Sequence, residues 1–222
     1  MATKQEGSSR PTDKQRSSSL SNFSRNLATS WIGRNWQTAL LLVLLVFLAL
    51  FVRSYFGYST SVDNGFLVSG GSDSYYHMRV IDHVVDTGQH LMNDNLLNYP
   101  YGMRNPRPPL YDWSVAVAGM FASSVTGMEI SDAVGMSLIF STAAWGALTV
   151  VPVFLIGKAA FGRKAGLLGA FLFALMPGHI ERSVLSNADH DSMALFFVVF
   201  AFYFLLRSLQ SVNGTNWVSS WK

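Results

Sequence analysis

The chain has 222 residues, of which half are hydrophobic and only 13% are charged, and its mean hydropathy is +0.25. Soluble domains carry about 25% charged residues, so this composition argues against a soluble globular protein. Cysteine is absent, which excludes disulfides, thiolate metal sites and cysteine nucleophiles and leaves oxygen and imidazole as the strong ligands.

The first 35 residues form a polar, basic segment, which we expect to be a disordered cytoplasmic tail. Six basic residues outnumber two acidic ones there, although the net charge of the whole chain is only +3. An apolar stretch follows at 36–56, with about the 20 residues that cross a bilayer. Because positive charge favours the cytoplasmic side, the first span places the N-terminus inside and the residues after Arg53 outside.

Three further apolar stretches, 132–156, 165–180 and 192–207, complete four predicted spans within residues 36–210. The stretch 113–125 is short and rich in small residues, and we interpret it as an external helix at the membrane surface. This count places the loops 57–131 and 181–191 outside, and the first of them is acidic where the tail is basic. Residues 211–222 are expected to begin a following loop or span, so we expect the chain to be an N-terminal portion.

The first candidate site lies in the sequence Gly-Gly-Ser-Asp-Ser-Tyr-Tyr-His-Met-Arg at 70–79. Residues 74–87 predict an amphipathic helix, with Met78 and Ile81 on the apolar face and Gly88 as its stop. Asp73 stands at the start of that helix, either as a simple cap or as a functional carboxylate. The local sequence favours a surface or packing role for His77 over that of a ligand.

The second candidate site is Asp189-His190-Asp191, just before the last predicted span. In an extended loop alternate residues share a side, so Asp189 and Asp191 can approach one cation. Paired carboxylates suit a hard ion such as Mg²⁺ or Mn²⁺. The alternative is that Asp191 or Ser192 only caps the next helix.

Between these sites, residues 98–113 are rich in proline and should take a rigid, non-helical course that supports the acidic site. Arg104 and Arg107 in this stretch either contact an anionic headgroup or are simply solvated. Tyr111 and Trp113 are suitable anchors at the membrane interface.

Together these residues resemble the STT3 family, the catalytic subunits of oligosaccharyltransferase, and in particular its archaeal branch. Gly71-Ser72-Asp73 matches the family's first external acidic motif, and Tyr75-Tyr76-His77-Met78-Arg79 matches the pattern that follows it. Pro177-Gly178 and Arg182-Ser183-Val184, followed by Asp189-His190-Asp191, match the second motif. The resemblance covers residues 36–210 and implies an all-α membrane protein, a multi-span helical bundle of the GT-C glycosyltransferase type with a long external loop after the first span.

The resemblance implies transfer of an oligosaccharide from a dolichyl-phosphate-type carrier to the asparagine of Asn-x-Ser/Thr in proteins. It assigns Asp73, Asp189 and Asp191 to catalysis and to a Mg²⁺ or Mn²⁺ ion, and makes Arg182, His77 and Arg79 candidates for substrate binding. The implied partners are the lipid-linked oligosaccharide, an acceptor polypeptide and membrane lipid, in the cell membrane, and no nucleic acid is expected.

Two alternatives remain open from the sequence: another polyprenyl-phosphate-sugar transferase, such as a protein mannosyltransferase, and a fragment of a cation transporter. The transporter hypothesis expects ionisable residues within the spans, whereas Asp132, at an edge, is the only Asp, Glu, His, Lys or Arg in 132–156 and 192–206. The family's acceptor-binding Trp-Trp-Asp-x-Gly motif is absent from the 222 residues, so we expect this segment to be inactive alone.

Overall fold

The computed structural model describes residues 36–55, 57–66 and 68–213, and these residues are mostly helical. The predicted tail, 1–35, and residues 214–222 lie outside the described residues. By internal packing the chain divides into residues 1–41 and 42–222, and the contacts described below lie within the second unit. The helices are α1 (Trp36–Tyr55), α2 (Tyr58–Val62), α3 (Ser72–Thr87), α4 (Leu110–Thr126), α5 (Ile130–Leu148), α6 (Val150–Phe161), α7 (Arg163–Ala174), α8 (Pro177–Arg182) and α9 (Asp191–Asn213).

Three helical stretches are long and apolar enough to cross a membrane. They are α1, the nearly continuous pair α5 and α6 at Ile130–Phe161, and the part of α9 at Asp191–Ser211. Large apolar side chains on α1 and α9 are exposed, including Phe47 and Phe202. Burial of such side chains in lipid is favourable, whereas their exposure to water is not. The chain is therefore a membrane protein.

The predicted span 165–180 is interrupted. Helix α7 ends at Ala174 after 12 residues, and Pro177 begins the short helix α8. Proline is well tolerated at the first position of a helix but cannot continue one, because it has no amide hydrogen. Helix α7 alone is too short to cross a bilayer, so the number of crossings stays a prediction.

The buried side chains form two apolar clusters. One joins α3, α4 and α5 with the start of α9, around Ile81, Tyr111 and Ile139, and includes Ala188, the residue before Asp189. The other joins α1, α6 and α7 around Ala49, Phe154 and Ala170. The helix α3 stops at Gly88, as predicted, but its buried face is formed by Ser74, His77, Val80, Ile81 and Val84, while Met78 is exposed.

A fully buried arginine, Arg53, joins three parts of the helical unit. Its guanidinium donates hydrogen bonds to the Ser183 hydroxyl at 2.8 Å and to the carbonyls of Ala49 and Ala174 at 3.0 Å each. All of these acceptors are uncharged. The positive charge is therefore stabilised by dipoles between α1, the end of α7 and the segment after α8.

Small residues allow α4 and α5 to pack closely. A Cβ atom added at Gly119 would lie 2.6 Å from Val134 Cγ2 and 2.7 Å from Val134 Cα. Contacts of this length do not occur between carbon atoms in real structures, so the two helices would have to separate. By contrast, a Cβ atom added at Gly169 on α7 would have no other atom within 4 Å.

An ion pair fixes the loop between α3 and α4. The guanidinium of Arg79 donates two hydrogen bonds to the Asp94 carboxylate, at 2.9 and 3.0 Å, and the amide of Leu96 donates a third at 2.9 Å. Asp94 lies in strand β1 (Asn93–Asp94), which pairs with the antiparallel strand β2 (Met103–Arg104). The hydrogen bonds from Arg79 hold the pKa of Asp94 below its usual value.

Gly119→Ala is expected to lower the free energy of unfolding by about 1–3 kcal/mol, because the added methyl group overlaps the backbone of α5. Gly169→Ala, with open space around it, is the matched control and should leave stability unchanged or raise it by up to about 1 kcal/mol. The thermal unfolding of both variants would be followed by circular dichroism in detergent. Equal unfolding temperatures for the two variants would contradict the packing described for α4 and α5.

Acidification is expected to destabilise the loop between α3 and α4 through Asp94. Because the folded pKa is depressed, the stabilisation is fully present above the unfolded carboxyl pKa of about 3.9 and is lost as the pH falls through the folded value. Asp94→Asn should therefore lower the unfolding temperature at pH 7 and weaken its dependence on pH below about 4. Asp86→Asn, at the exposed end of α3, is the control, and an equal effect of both substitutions would refute a special role for Asp94.

Candidate functional site

Hydrogen bonds join the segment before α3 directly to the segment before α9. The Ser69 amide donates to the Ser186 carbonyl at 2.8 Å, and the hydroxyls of the same two residues are also 2.8 Å apart. The hydroxyl of Ser74 donates to the carbonyl of Asn187. Asp73 comes one position before Ser74, and Asp189 comes two positions after Asn187. The two predicted acidic motifs therefore belong to one local structure.

The two glycines before Asp73 allow this approach, each for a different reason. A Cβ atom at Gly70 would overlap both the Asn187 carbonyl and the Ser74 hydroxyl. Gly71 has φ +73° and ψ −152°, a conformation that is essentially restricted to glycine. Only glycine therefore fits at these two positions without displacing the neighbouring segment.

Asp73 lies in the first turn of α3, where the helix dipole favours a negative charge. Its carboxylate is half exposed and forms an ion pair with Arg107. The Arg107 guanidinium also lies 4.9 Å from the centre of the Tyr76 ring, a distance at which a cation and an aromatic face attract each other. The sequence left open whether Arg107 contacts an anionic headgroup or is solvated. In the structure it contacts Asp73, an acidic residue of the site.

Asp189 lies in the loop before α9 and contacts two histidines. Its Oδ1 is 2.7 Å from His190 Nδ1 and 3.5 Å from His77 Nε2, and it accepts a hydrogen bond from the His190 amide at 2.7 Å. The hydrogen bond with His77 is the largest influence on this carboxyl and lowers the pKa of Asp189 to about 2, against the opposing effect of burial. Asp189 is therefore ionised at physiological pH.

His77 is buried, and a second acidic residue orients it. Its Nδ1 is 2.6 Å from Asp112 Oδ1, and its ring packs edge-on against Tyr111 with centroids 4.8 Å apart. Burial disfavours the protonated imidazole, but the hydrogen bonds to Asp112 and Asp189 outweigh it and raise the pKa of His77. The sequence offered one signal for Asp112, an acidic residue in the first turn of the otherwise apolar helix α4.

The remaining predicted site residues do not join this group of contacts. Asp191 is the exposed first residue of α9, and the loop directs His190 instead of Asp191 toward Asp189. Arg182 is exposed at the end of α8, and no ion pair between described residues links it to Asp189. Arg79 pairs with Asp94 of strand β1 and not with Asp73 or Asp189.

Three of these side chains could hold a metal ion together. His77, Asp189 and His190 each offer one ligand atom, and all three atoms lie within 4.8 Å of one another. Imidazole nitrogen and carboxylate oxygen are both common ligands of divalent transition metals. Asp73 and Asp191 are not members of this group.

The comparisons with known proteins agree on one family. Residues 37–220 match the family model described as oligosaccharyl transferase STT3, N-terminal. A Haloferax volcanii glycotransferase, AglB, is 32% identical over 181 residues, which are 80% of this chain and 17% of that protein. Dolichyl-phosphooligosaccharide-protein glycotransferase 2 of Archaeoglobus fulgidus is 30% identical over 197 residues, 86% of this chain and 32% of that protein. The chain thus spans less than a third of the length of these two relatives.

Solved structures show the same similarity. The Archaeoglobus fulgidus oligosaccharyltransferase tethered to an acceptor peptide with the NVT sequon superposes with a TM-score of 0.68 at 27% identity, covering 80% of this chain and 20% of that one. The complex of Archaeoglobus fulgidus AglB with an inhibitory peptide and dolichol-phosphate has a TM-score of 0.64 at 26% identity, with coverages of 79% and 20%. A further structure of the Archaeoglobus fulgidus enzyme contains zinc and sulfate and has a TM-score of 0.65 at 26% identity, with coverages of 75% and 21%.

The contact between the two acidic motifs predicts that cysteines at positions 69 and 186 will cross-link. The chain has no cysteine of its own, and the two serine hydroxyls are already 2.8 Å apart. We expect Ser69→Cys combined with Ser186→Cys to form an intramolecular disulfide on mild oxidation, visible as a mobility shift on non-reducing gels.

Each single cysteine variant is the first control and should give no shift. Adding Gly70→Ala to the double variant should reduce the yield of cross-link, because the new methyl group pushes the Asn187 carbonyl away. Gly178→Ala, which meets no atom within 4 Å, should leave the yield unchanged. A double variant that stays reduced under conditions that oxidise free thiols would contradict the contact.

Proposed function

Because this chain belongs to the STT3 oligosaccharyltransferase family, we propose that it supplies the membrane-embedded acidic site of an N-glycosylating transferase. Its all-α membrane fold is of the GT-C type, as the sequence indicated. The reaction is the transfer of an oligosaccharide from a dolichyl-phosphate-type carrier to the asparagine of Asn-x-Ser/Thr. The curated relatives are named for transfer of this class.

One observation carries the proposal: the two acidic motifs are joined through hydrogen bonds between Ser69 and Ser186 and between Ser74 and Asn187. Carboxylates from segments more than 100 residues apart in the chain are thereby held in one region. Placing two acids beside membrane-spanning helices costs free energy unless they are paired or have a function. Here Asp73 is paired with Arg107, and Asp189 is paired with His77 and His190.

Catalysis must overcome the low nucleophilicity of the acceptor amide, whose nitrogen lone pair is delocalised into the carbonyl group. In the proposed reaction the amide nitrogen forms a bond to the anomeric carbon of the sugar, and the bond from that carbon to the phosphate oxygen breaks. Asp73, exposed at the start of α3, is the residue we assign to orienting the amide. A carboxylate that accepts hydrogen bonds from the amide N–H groups can hold the nitrogen twisted out of the carbonyl plane, which reduces delocalisation of its lone pair, and can take up the proton that leaves.

We assign a divalent cation, Mg²⁺ or Mn²⁺, to the acidic residues Asp73, Asp189 and Asp191. The donor chemistry fits, because Asp189 is ionised and lies beside further ligand atoms of His77 and His190. When bound, such an ion withdraws charge from the phosphate leaving group. A neighbouring structure that contains zinc and sulfate supports a divalent ion in this fold.

Binding of the anionic carrier is assigned to basic side chains around the site. Arg182 is exposed and lines a cleft together with Asp191, so it can reach a phosphate. His77 is buried and Arg79 is held by Asp94, so we assign these two residues an indirect role in shaping the site. A related structure holds dolichol-phosphate and another holds a sequon peptide, which supports both classes of partner.

We further propose that the site faces the extracytoplasmic side of the cell membrane. The basic first 35 residues favour a cytoplasmic N-terminus. The first span then carries the chain outward, and α3 and α4 follow it in the long acidic segment 57–131. Helix α4 would lie at the membrane surface on that side, as expected from its length and small residues.

The proposal predicts loss of transfer when single carboxylates are removed. The assay uses a chimaera in which this chain is joined to the remainder of an archaeal relative, with a lipid-linked oligosaccharide and a sequon peptide as substrates. Asp73→Ala, Asp189→Ala and Asp191→Ala should each reduce the rate of glycopeptide formation about 100-fold or more.

Asp86→Asn, at the far end of the helix that carries Asp73, is the matched control and should retain the rate of the unsubstituted chimaera. A peptide with glutamine in place of the acceptor asparagine should not react. Retention of activity in all three alanine variants, measured in a chimaera that is active when unsubstituted, would refute the proposed role of the acidic residues.

A further inference from the structure

Exposed basic residues surround the turn that joins α6 to α7. They form the basic cluster, which consists of Lys158, Arg163, Lys164 and Arg207. Arg207 reaches this turn from α9, because its guanidinium donates a hydrogen bond to Gln210 Oε1 at 3.2 Å, and Gln210 Nε2 donates one to the Ala159 carbonyl at 2.9 Å. Three helices therefore bring positive charge to one region.

No acidic side chain of these helices balances this charge. The sequences of α6, of α7 and of α9 after Asp191 contain no aspartate or glutamate. None of the ion pairs between described residues involves a member of the basic cluster. Because like charges at short range repel each other, the cluster is complementary to an anion.

The start of α7 adds to this preference. The N-terminus of a helix carries a partial positive charge and is stabilised by acidic groups or anions. Here the first turn instead holds two basic residues, Arg163 and Lys164, and Gly162 at the N-cap has no side chain to accept hydrogen bonds from the free amides. An anion bound at this turn can pair with both side chains and accept hydrogen bonds from those amides.

Close packing of α6 against α7 holds the turn in place. A Cβ atom added at Gly166 would lie 2.7 Å from the Phe154 carbonyl oxygen and 2.8 Å from the Lys158 amide nitrogen, so the two backbones are in direct contact. The ammonium group of Lys158 lies 5.8 Å from the centre of the Phe154 ring. The positive charges are therefore mounted on a fixed pair of helices.

The basic cluster lies about one membrane thickness from the acidic motifs. Gln210 follows Asp191 by 19 residues within α9, which corresponds to about 28 Å at 1.5 Å per residue. The hydrocarbon core of a bilayer is about 30 Å thick. The acidic motif and the basic cluster are thus at opposite ends of one span, and the cluster lies at the level of the lipid headgroups.

An apolar stripe continues from the basic cluster along α7. Lys164, Leu168 and Leu172 are four residues apart and therefore share one face of the helix. Leu168 and Leu172 are 59% and 61% exposed, and Phe161, just before the turn, is 77% exposed. A ligand with a negative headgroup and a hydrocarbon chain matches both the charge and the stripe, whereas a soluble anion matches only the charge.

We propose that the basic cluster binds the phosphate headgroup of an anionic membrane lipid, with a hydrocarbon chain of that lipid packed along Leu168 and Leu172. Each Lys or Arg near such headgroups strengthens binding about fivefold. The bound lipid connects the turn between α6 and α7 to α9. This site is separate from the acidic site and does not depend on the proposed transferase reaction.

The test measures lipid binding to the purified chain in detergent. Phosphatidylglycerol and phosphatidylcholine with the same acyl chains are compared by native mass spectrometry and by thermal unfolding. We expect phosphatidylglycerol to bind about tenfold more tightly or better and to raise the unfolding temperature. Arg163→Gln combined with Lys164→Gln should weaken its binding about 25-fold, because two positive charges are lost.

Matched variants separate this site from a general effect of charge. Arg163→Gln alone should weaken binding of phosphatidylglycerol about fivefold, whereas Arg104→Gln, which removes an exposed arginine from β2, should leave it unchanged. Arg163→Lys combined with Lys164→Arg keeps the charge and should retain binding. Leu168→Ser combined with Leu172→Ser should weaken binding of the lipid although the basic cluster is intact. Circular dichroism reports whether each variant is helical.

Three results would overturn the inference. Equal binding of the two lipids would show that the headgroup charge is not recognised. Equal losses in folded Arg163→Gln and Arg104→Gln would show that only the total charge matters. Displacement of phosphatidylglycerol by an equal concentration of inorganic phosphate would identify a site for a soluble anion instead of a lipid. The transferase proposal would stand in each case, since the chimaera tests it separately.

Discussion

The contact between the segments 69–74 and 186–187 is the constraint on which the site depends. These segments precede α3 and α9, and each carries an acidic motif that has no fixed geometry by itself. The hydrogen bonds at Ser69 and Ser74 fix the separation of Asp73 and Asp189. Gly70 permits this contact because any side chain there would occupy the position of the Asn187 carbonyl. The chemistry proposed for the carboxylates therefore rests on a contact between two backbone segments.

The long apolar helices were predictable because length and composition determine them. The described helix α1, Trp36–Tyr55, lies within the predicted stretch 36–56, and α9 begins at Asp191, one residue before the predicted start. The stretch 165–180 was not predictable as two helices, since hydropathy does not register the break before Pro177. The buried face of α3 was predicted only in part: Ile81 is buried as expected, whereas Met78 is exposed and a polar histidine, His77, occupies a core position.

The acidic motifs were recognisable in sequence, whereas their contacts were not. Asp112 and His77 are 35 residues apart, and His190 and His77 are 113 residues apart. No local periodicity relates positions at such separations. These residues meet only because α3 packs against α4 and because the loop before α9 contacts His77 of α3. A sequence argument based on alternation in a loop selected Asp191 as the partner of Asp189. In the structure the ring of the intervening residue, His190, contacts the Asp189 carboxylate, and a shared role for Asp189 and Asp191 stays a prediction.

Arg53 has a consequence for how the chain is assembled in the bilayer. It is synthesised with α1, but its acceptors Ala174 and Ser183 follow 121 and 130 residues later. Until they arrive, its guanidinium has only the carbonyl of its own helix, at Ala49, and must otherwise remain hydrated near the lipid headgroups. The hydrogen bonds that hold α1 in its final position can therefore form only after α7 and α8 have been synthesised. During biosynthesis the loop that carries Asp189 thus reaches its place at the same stage as the first helix.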